Sequence, residues 1–370
     1  MMKLHLKKKT NQIKKFFRLY TTGLNRNEVE RLLKKDALEA FEYYKDKTTL
    51  QEGLPQSKTF KTSLKVVKEI FLSFLMQLTP ARRLFYGISV VGFVLGLLWV
   101  KWLWIICAFV ILNLLLALEL ANKLTTRDEL EIAREIQVSL QPEQLPEFPW
   151  LSMSSFSKPA RIVGGDFFNI VKRPDGQMLS IVGDVAGKGI PAALYAAHIQ
   201  SMFESLSEQS ASPAHIMNGL NQLICRRLRE GDFITAVIAY FESGQNSMTI
   251  ARAGHNWPLY YSVQTQTISH LKPQGVCLGV DKDMGFSACL EEKKLPVQSG
   301  DILLLYSDGV TEAMNSSNQL FDLSRLESAL KESAGFSAEK IVDGINHRLD
   351  EFVQSEELHD DVTMVAIKVK

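Results

Sequence analysis

Residues 162–194 read IVGGDFFNIVKRPDGQMLSIVGDVAGKGIPAAL, and the fold turns on how this stretch is read. Asp166 and Asp184 stand at the outer ends of two apolar runs, each beside glycine. Between the runs, Arg173-Pro174-Asp175-Gly176 is a turn signal, so the segment reads as a β-hairpin that brings Asp184 back to the sheet end where Asp166 sits. A carboxylate at a strand end beside a glycine turn suits a cation, because glycine lets backbone carbonyls approach it. Taken singly, either aspartate reads first as a turn residue. Beyond Asp184, Gly187-Lys188-Gly189 leads to Pro191, placed where a helix begins.

Outward from this hairpin, the chain of 370 residues has room for two domains, or for one domain and a membrane region. A formal charge of +1 hides an asymmetry: residues 1–83 carry about eleven excess positive charges, and the remainder is acidic by about ten. Cys107, Cys225, Cys277 and Cys289 form no CxxC pair and no zinc spacing, which points to a reducing compartment without a disulfide framework. No apolar stretch directly follows the first lysines, so a cleavable signal peptide is not expected. Residues 27–47 and 60–78 place apolar side chains at helical spacing among lysines. Such basic helices either rest on anionic membrane lipid or form a small helical domain with a solvated face.

Residues 84–118 are almost wholly apolar, interrupted by Lys101 among Trp99, Trp102 and Trp104. One span needs about 20 residues, so two short spans are expected, 84–100 and 102–118, with Lys101 and the tryptophans at the far interface. Arg82 and Arg83 on one side and Lys123 and Arg127 on the other put both ends in the cytoplasm of a multi-pass cell-membrane protein. A single tilted helix and a buried soluble hairpin are the alternatives. Residues 126–140 open with a capping-box pattern, Thr126 to Glu129, and carry Ile132, Ala133, Ile136 and Leu140 on one face. They read as a connecting helix through which a homodimer could form. Pro142, Pro146 and Pro149 close it. The expected division is therefore 1–83, a basic helical region; 84–118, a transmembrane hairpin; 119–146, the connecting helix; and 147–370, an α+β domain. In that domain, apolar runs near 178–183, 234–241, 248–252, 302–306 and 362–369 alternate with helix-like stretches near 190–207, 213–229, 322–333 and 337–353.

Acidic residues punctuate four strand ends of this last domain. Asp166 and Asp184 are joined by Asp308, after the run 302–306, and by the pair Asp360-Asp361, before the run 362–369. Oxygen ligands without histidine or cysteine suit magnesium or manganese rather than zinc. Two such ions can clamp the oxygens of an in-line displacement at phosphorus. Scattered turn aspartates are the bland alternative.

The strings VGGDFF (163–168), GDVAGKG (183–189), AGHNWP (253–258), YSDGVTEA (306–313) and DDVT (360–363) occur in an order that resembles the metal-dependent protein phosphatases of the 2C family. Within it they are most similar to the bacterial sporulation and stress-response branch, SpoIIE-like, over residues 128–370. The resemblance implies an α-β-β-α sandwich, two β-sheets flanked by helix pairs, with a site for two Mn2+ or Mg2+ ions at one edge. It implies that Asp166 and Asp184 bridge the ions, that the Val185 carbonyl is a further ligand, and that Asp308 and Asp360 hold the second ion. Asp361 and Gly165 are assigned to the shell behind these ligands. Arg161, five residues before Asp166, matches a phosphate-binding arginine whose fork suits two phosphoryl oxygens.

One departure concerns the leaving group. Eukaryotic members have a histidine where this chain has Ala186, which leaves the proton to a metal-held water or to Lys188. Lys188 is read first as a contact at the helix start, and His255 as structural. The implied activity is hydrolysis of phosphoserine or phosphothreonine on a small phosphorylated regulator of the anti-sigma-factor-antagonist type. An acidic surface disfavours nucleic acid as a partner. The competing readings are a membrane-tethered scaffold that binds without turnover, and a two-metal nuclease. The membrane region is expected either to signal through the connecting helix to the hairpin or to serve as a passive tether.

Overall fold

The computed structural model describes residues 79–99, 102–142 and 144–370, apart from 243, 245, 281–284, 355 and 357, together with Leu72 and Leu75. The expected basic helices at 27–47 and 60–78, and Lys101, lie outside the described residues. The chain divides into two compact units, Met1–Leu124 and Thr125–Lys370.

In the first unit, helix α1 (Pro80–Leu98) starts with proline in its first turn, where the missing N–H costs no hydrogen bond. Helix α2 begins at Trp102 and runs to Ser139. The two pack antiparallel. Ser89 Oγ donates to the Ala108 carbonyl at 2.8 Å, Gly96 lies so close to α2 that a Cβ there would stand 2.7 Å from Ile105, and Arg82 pairs with Glu119. Their outer faces are apolar and uncovered: Leu84, Leu98, Trp102, Leu103, Phe109 and Leu116 are each more than 60% exposed. Both Pro80–Leu98 and Trp102–Glu119 are long and apolar enough to cross a membrane, with mean hydropathies of 1.5 and 2.3.

Thr126 lies inside α2, because no glycine or proline between 102 and 139 interrupts the hydrogen-bonded ladder, so the expected connecting helix is the continuation of the second apolar one.

The second unit is the expected α+β sandwich. Its elements are β1 (Leu151–Lys158), β2 (Phe167–Lys172), β3 (Met178–Val185), α3 (Ile190–Gln209), α4 (Pro213–Ile224), β4 (Ile234–Glu242), β5 (Ser247–Ala253), β6 (Leu259–Ser262), β7 (Thr267–His270), α5 (Gly285–Cys289), β8 (Glu292–Pro296), β9 (Ile302–Tyr306), α6 (Asp308–Glu312), α7 (Asp322–Ser333), α8 (Ala338–Val353) and β10 (Val362–Val369). The strands form two sheets, in the orders β1-β10-β9-β6-β7 and β2-β3-β4-β5-β8, with antiparallel pairing throughout.

Side-chain alternation along each strand builds three apolar layers. In β9, Leu303 and Leu305 meet β2–β5 residues such as Val182, Val237 and Ile250 between the sheets. Ile302, Leu304 and Tyr306 point the other way, onto α7 and α8 through Leu326, Leu330, Ile341 and Ile345. In β3, Leu179 and Ile181 pack onto α3 and α4 through Ile199, Phe203, Met217 and Leu220. Both faces of the inner strands are covered, which explains why they read as nearly unbroken apolar runs although they are antiparallel. Helix α4 ends at Ile224, short of the expected 229. Its amphipathic stripe closes there, and Arg227 and Leu228 turn back onto the Ile224 carbonyl.

Candidate active site

The hairpin forms as read. Phe167 pairs with Gly183, which leaves Asp166 and Asp184 opposite each other at its open end. The turn closes with Gly176 N–H donating to the Arg173 carbonyl at 2.9 Å, and Gly176 takes φ 78°, which glycine adopts without strain. In the other sheet, Met364 pairs with Tyr306, so the end of β9 and the start of β10 lie side by side. Asp308 and Asp360-Asp361 therefore share one sheet end.

Asp361 ties the two ends together. Its Oδ2 accepts the backbone N–H of Gly165 at 2.6 Å and of Asp166 at 3.4 Å, and its Oδ1 accepts that of Ala160 at 2.8 Å. Glycine is required along this seam. A Cβ on Gly164 would stand 2.4 Å from Asp361 Oδ2, and one on Gly309 would stand 2.0 Å from the Asp361 carbonyl oxygen. One on Gly165 would stand 2.9 Å from the Val185 carbonyl oxygen and 3.0 Å from Asp184 Oδ1. Gly165 thus leaves open the space that these two oxygens face.

The carboxylates feel one another. Asp166 is buried, and its carboxyl is raised well above the usual range, first by burial and then by Asp184; the Ser307 and Thr363 hydroxyls pull the other way. Burial and then the charges of Asp308, Asp360 and Asp361 raise Asp184 to about 7. Asp308 is raised by burial and then by Asp360. Glu312, one turn along α6, is raised by burial and then by Asp308 and Asp360, a sixth acid that the sequence reading passed over. Acids in this arrangement cannot all ionise without a counter-charge.

Asp166 Oδ2 is buried and has no hydrogen-bond partner, an expensive state for an anionic oxygen unless a cation meets it. The donor set is all oxygen, and with this orphaned atom it fits hard divalent ions. Among the described residues, however, no three acidic, histidine or cysteine side chains already close into a cation-holding group. On the far side, Lys188 reaches Asp360. It is not a helix-start contact: its ammonium donates to Asp360 Oδ2 and to the His359 carbonyl, each at 2.8 Å.

The remaining expected residues fall as follows. Arg161 is exposed and makes no hydrogen bond or ion pair among the described residues. Ala186 is anchored through its N–H to the Phe233 carbonyl at 2.9 Å. His255 is buried, which lowers its pKa to about 4 and keeps the ring neutral. Its Nδ1 meets Thr235 Oγ1 at 2.8 Å, and Thr235 is the register partner of Asp184, so His255 supports the strand next to the site. Sequence reasoning missed Thr235 and also Gln137. The Gln137 amide on α2 grips the Gly164 backbone twice, Nε2 to the carbonyl at 2.8 Å and Oε1 from the N–H at 3.2 Å.

Comparison with known proteins agrees with this fold. The family described as Stage II sporulation protein E (SpoIIE) matches residues 174–370. Phosphoserine phosphatase RsbU of Bacillus subtilis is 31% identical over 245 residues, 66% of this chain and 71% of its own. Protein IcfG of Synechocystis is 27% identical over 270 residues, 65% of this chain, which spans only 41% of IcfG. The SiaA-PP2C domain of Pseudomonas aeruginosa superposes with a TM-score of 0.59 at 21% identity, covering 68% of this chain and 99% of that domain. The RsbU and RsbW domains of a Mycobacterium tuberculosis protein superpose at 0.53 and 19%, over 61% of this chain and 62% of theirs. With the sandwich and the ordered acidic strings in place, these matches establish that the chain belongs to the SpoIIE family of PP2C-type serine/threonine phosphatases.

Proposed function

We propose that the chain is a membrane-anchored phosphatase that removes phosphate from serine or threonine of a small regulatory protein of the anti-sigma-factor-antagonist type, using two Mn2+ or Mg2+ ions. The observation that carries this reading is the meeting of two sheet ends at Asp166, Asp184, Asp308 and Asp360, with one oxygen of Asp166 buried and unpartnered. Asp166, Asp184, the Val185 carbonyl, Asp308 and Asp360 are the groups that would hold the ions, with Asp308 and Asp360 on the second-ion side. When bound, the ions supply Lewis-acid activation of water and offset charge on the phosphoryl group. Arg161, exposed and unpaired among the described residues, can fork two phosphoryl oxygens. Asp361 and Gly165 keep the ligand loop in place, the first by its backbone hydrogen bonds and the second by leaving space. His255 does not move protons; it is buried and neutral.

Membrane anchoring rests on the uncovered apolar faces of α1 and the first half of α2, which water would not tolerate and lipid would. A homodimer contact rests on Ile132 and Ile136, one turn apart on α2 and 57% and 58% exposed.

The test is phosphate release from a phosphoserine peptide by the full chain in lipid nanodiscs. Turnover should require Mn2+ or Mg2+, stop on chelation, and disappear in Asp184→Asn, while Arg161→Ala raises KM. Binding of phosphoproteins without turnover at any metal concentration would favour the scaffold instead.

A further inference from the structure

Lys188 lies in the loop between Asp184 and α3. Its neighbours Gly187 and Gly189 take φ of 103° and 78°, and a Cβ on either would meet nothing within 4 Å. The loop is therefore unpacked around the lysine, and the ammonium is placed by its own partners, Asp360 Oδ2 and the His359 carbonyl. Asp360 is the carboxylate that the reading above gives to the second ion.

The ammonium bonds Asp360 on the sheet end that Asp308 shares through the β9–β10 register. A carboxylate oxygen engaged by an ammonium at 2.8 Å cannot also take a divalent ion at about 2.1 Å without pressing two positive charges together.

We infer that Lys188 is an internal counter-ion that occupies the second-ion side of the site in the absence of metal, and that a divalent ion enters there by displacing the ammonium from Asp360. The inference rests on the two-ion reading of the site. It means that this side binds metal more weakly than its oxygen ligands alone would. Lysine and aspartate are 44% and 42% exposed in the pair, so the competition is modest and reversible.

The experiment is Mn2+ binding to the full chain in detergent, without substrate, followed by calorimetry and by the electron paramagnetic resonance signal of free Mn2+. Lys188→Met should tighten the weaker Mn2+ Kd by about three- to tenfold, the scale of an exposed pair plus one nearby like charge. Lys188→Gln should act in the same direction, and Lys188→Arg, which keeps the cation, should stay within about twofold of the parent. If the parent binds two ions and neither neutral variant tightens the weaker one, the counter-ion role is overturned and the two-ion site stands. If neither the parent nor Lys188→Met binds Mn2+ at millimolar levels, both fall.

Discussion

The two sheet ends that meet at the site differ in how they carry their acids. At the β2–β3 end, Asp166 is 5% exposed with an orphaned oxygen, and Asp184 is raised to about 7, chiefly by burial. At the β9–β10 end, Asp360 is 42% exposed and already paired with Lys188. On the two-ion reading, the first end is desolvated around an oxygen that a cation would satisfy. At the second, Asp360 is open to solvent and already has a cation beside it, although Asp308 next to it is partly buried. Divalent ions should therefore be structural necessities at one end and exchangeable at the other.

The largest expected effect separates the ends directly. Asp184→Asn should lower kcat/KM on a phosphoserine peptide about a thousandfold, the several kcal/mol that a Lewis-acid ion contributes, and extra Mn2+ should not restore it. Asp360→Asn should cost about ten- to a hundredfold, with part recovered at high Mn2+. Steady-state kinetics across a Mn2+ series checks both, and equal losses would erase the distinction between the ends.

The next effect is on stability without metal. An acid whose folded pKa exceeds its unfolded value of about 4 binds more protons when folded, so its contribution to stability is lost as pH rises through that window. For Asp184 the window runs from about 4 to about 7. His255, lowered to about 4, acts in the opposite sense below its ordinary value of about 6.5, because there the unfolded chain binds the extra proton. The diagnostic is therefore the difference between the parent and Asp184→Asn. In chelator, the parent should lose more Tm than the variant between mildly acid and mildly alkaline pH, and Mn2+ should remove the gap. A parallel pH profile for the two proteins would show that burial of Asp184 has no energetic consequence.

Much of the β9–β10 end and of the hairpin was legible in the sequence, because strands covered on both faces write continuous apolar runs and an aspartate ends each run abruptly. The edges were not legible. β1, LSMSSFSK, is a half-buried polar strand, and β8, EKKLP, is exposed on nearly every residue, so neither carries the periodicity of a core strand. The site's supports escaped for a different reason. Gln137 lies 27 residues before Gly164 on a helix surface, and Thr235 becomes relevant only through its register with Asp184. Neither relation is written locally. The capping box at Thr126 misled in the opposite direction, as a local signal overridden by an uninterrupted helix.

The supports give the two smaller predictions. Gly165→Ala would press a Cβ to 2.9 Å from the Val185 carbonyl oxygen and 3.0 Å from Asp184 Oδ1, backbone and ligand that cannot both retreat. It should cost about 1–3 kcal/mol in urea unfolding, the usual scale of overpacking, and should weaken Mn2+ binding at the buried end in the same variant.

Gln137→Ala should do less, and its value lies in what it leaves intact. The amide is half-buried and supplies two hydrogen bonds to the Gly164 backbone, at 2.8 and 3.2 Å, while Asp361 independently holds Gly165 and Ala160. Losing one of two clamps should cost about 1 kcal/mol of stability and leave both neighbouring backbone hydrogen bonds in place. Activity should fall by only a few fold, with KM for Mn2+ rising more than kcat falls, because the loop that presents Asp166 loosens without losing a ligand. Gln137→Glu keeps an acceptor for the Gly164 N–H but replaces the donor to its carbonyl with a charge, so it should be worse than alanine. If alanine and glutamate proved equal, the clamp would contribute nothing to the buried end, and Asp361 alone would account for its order.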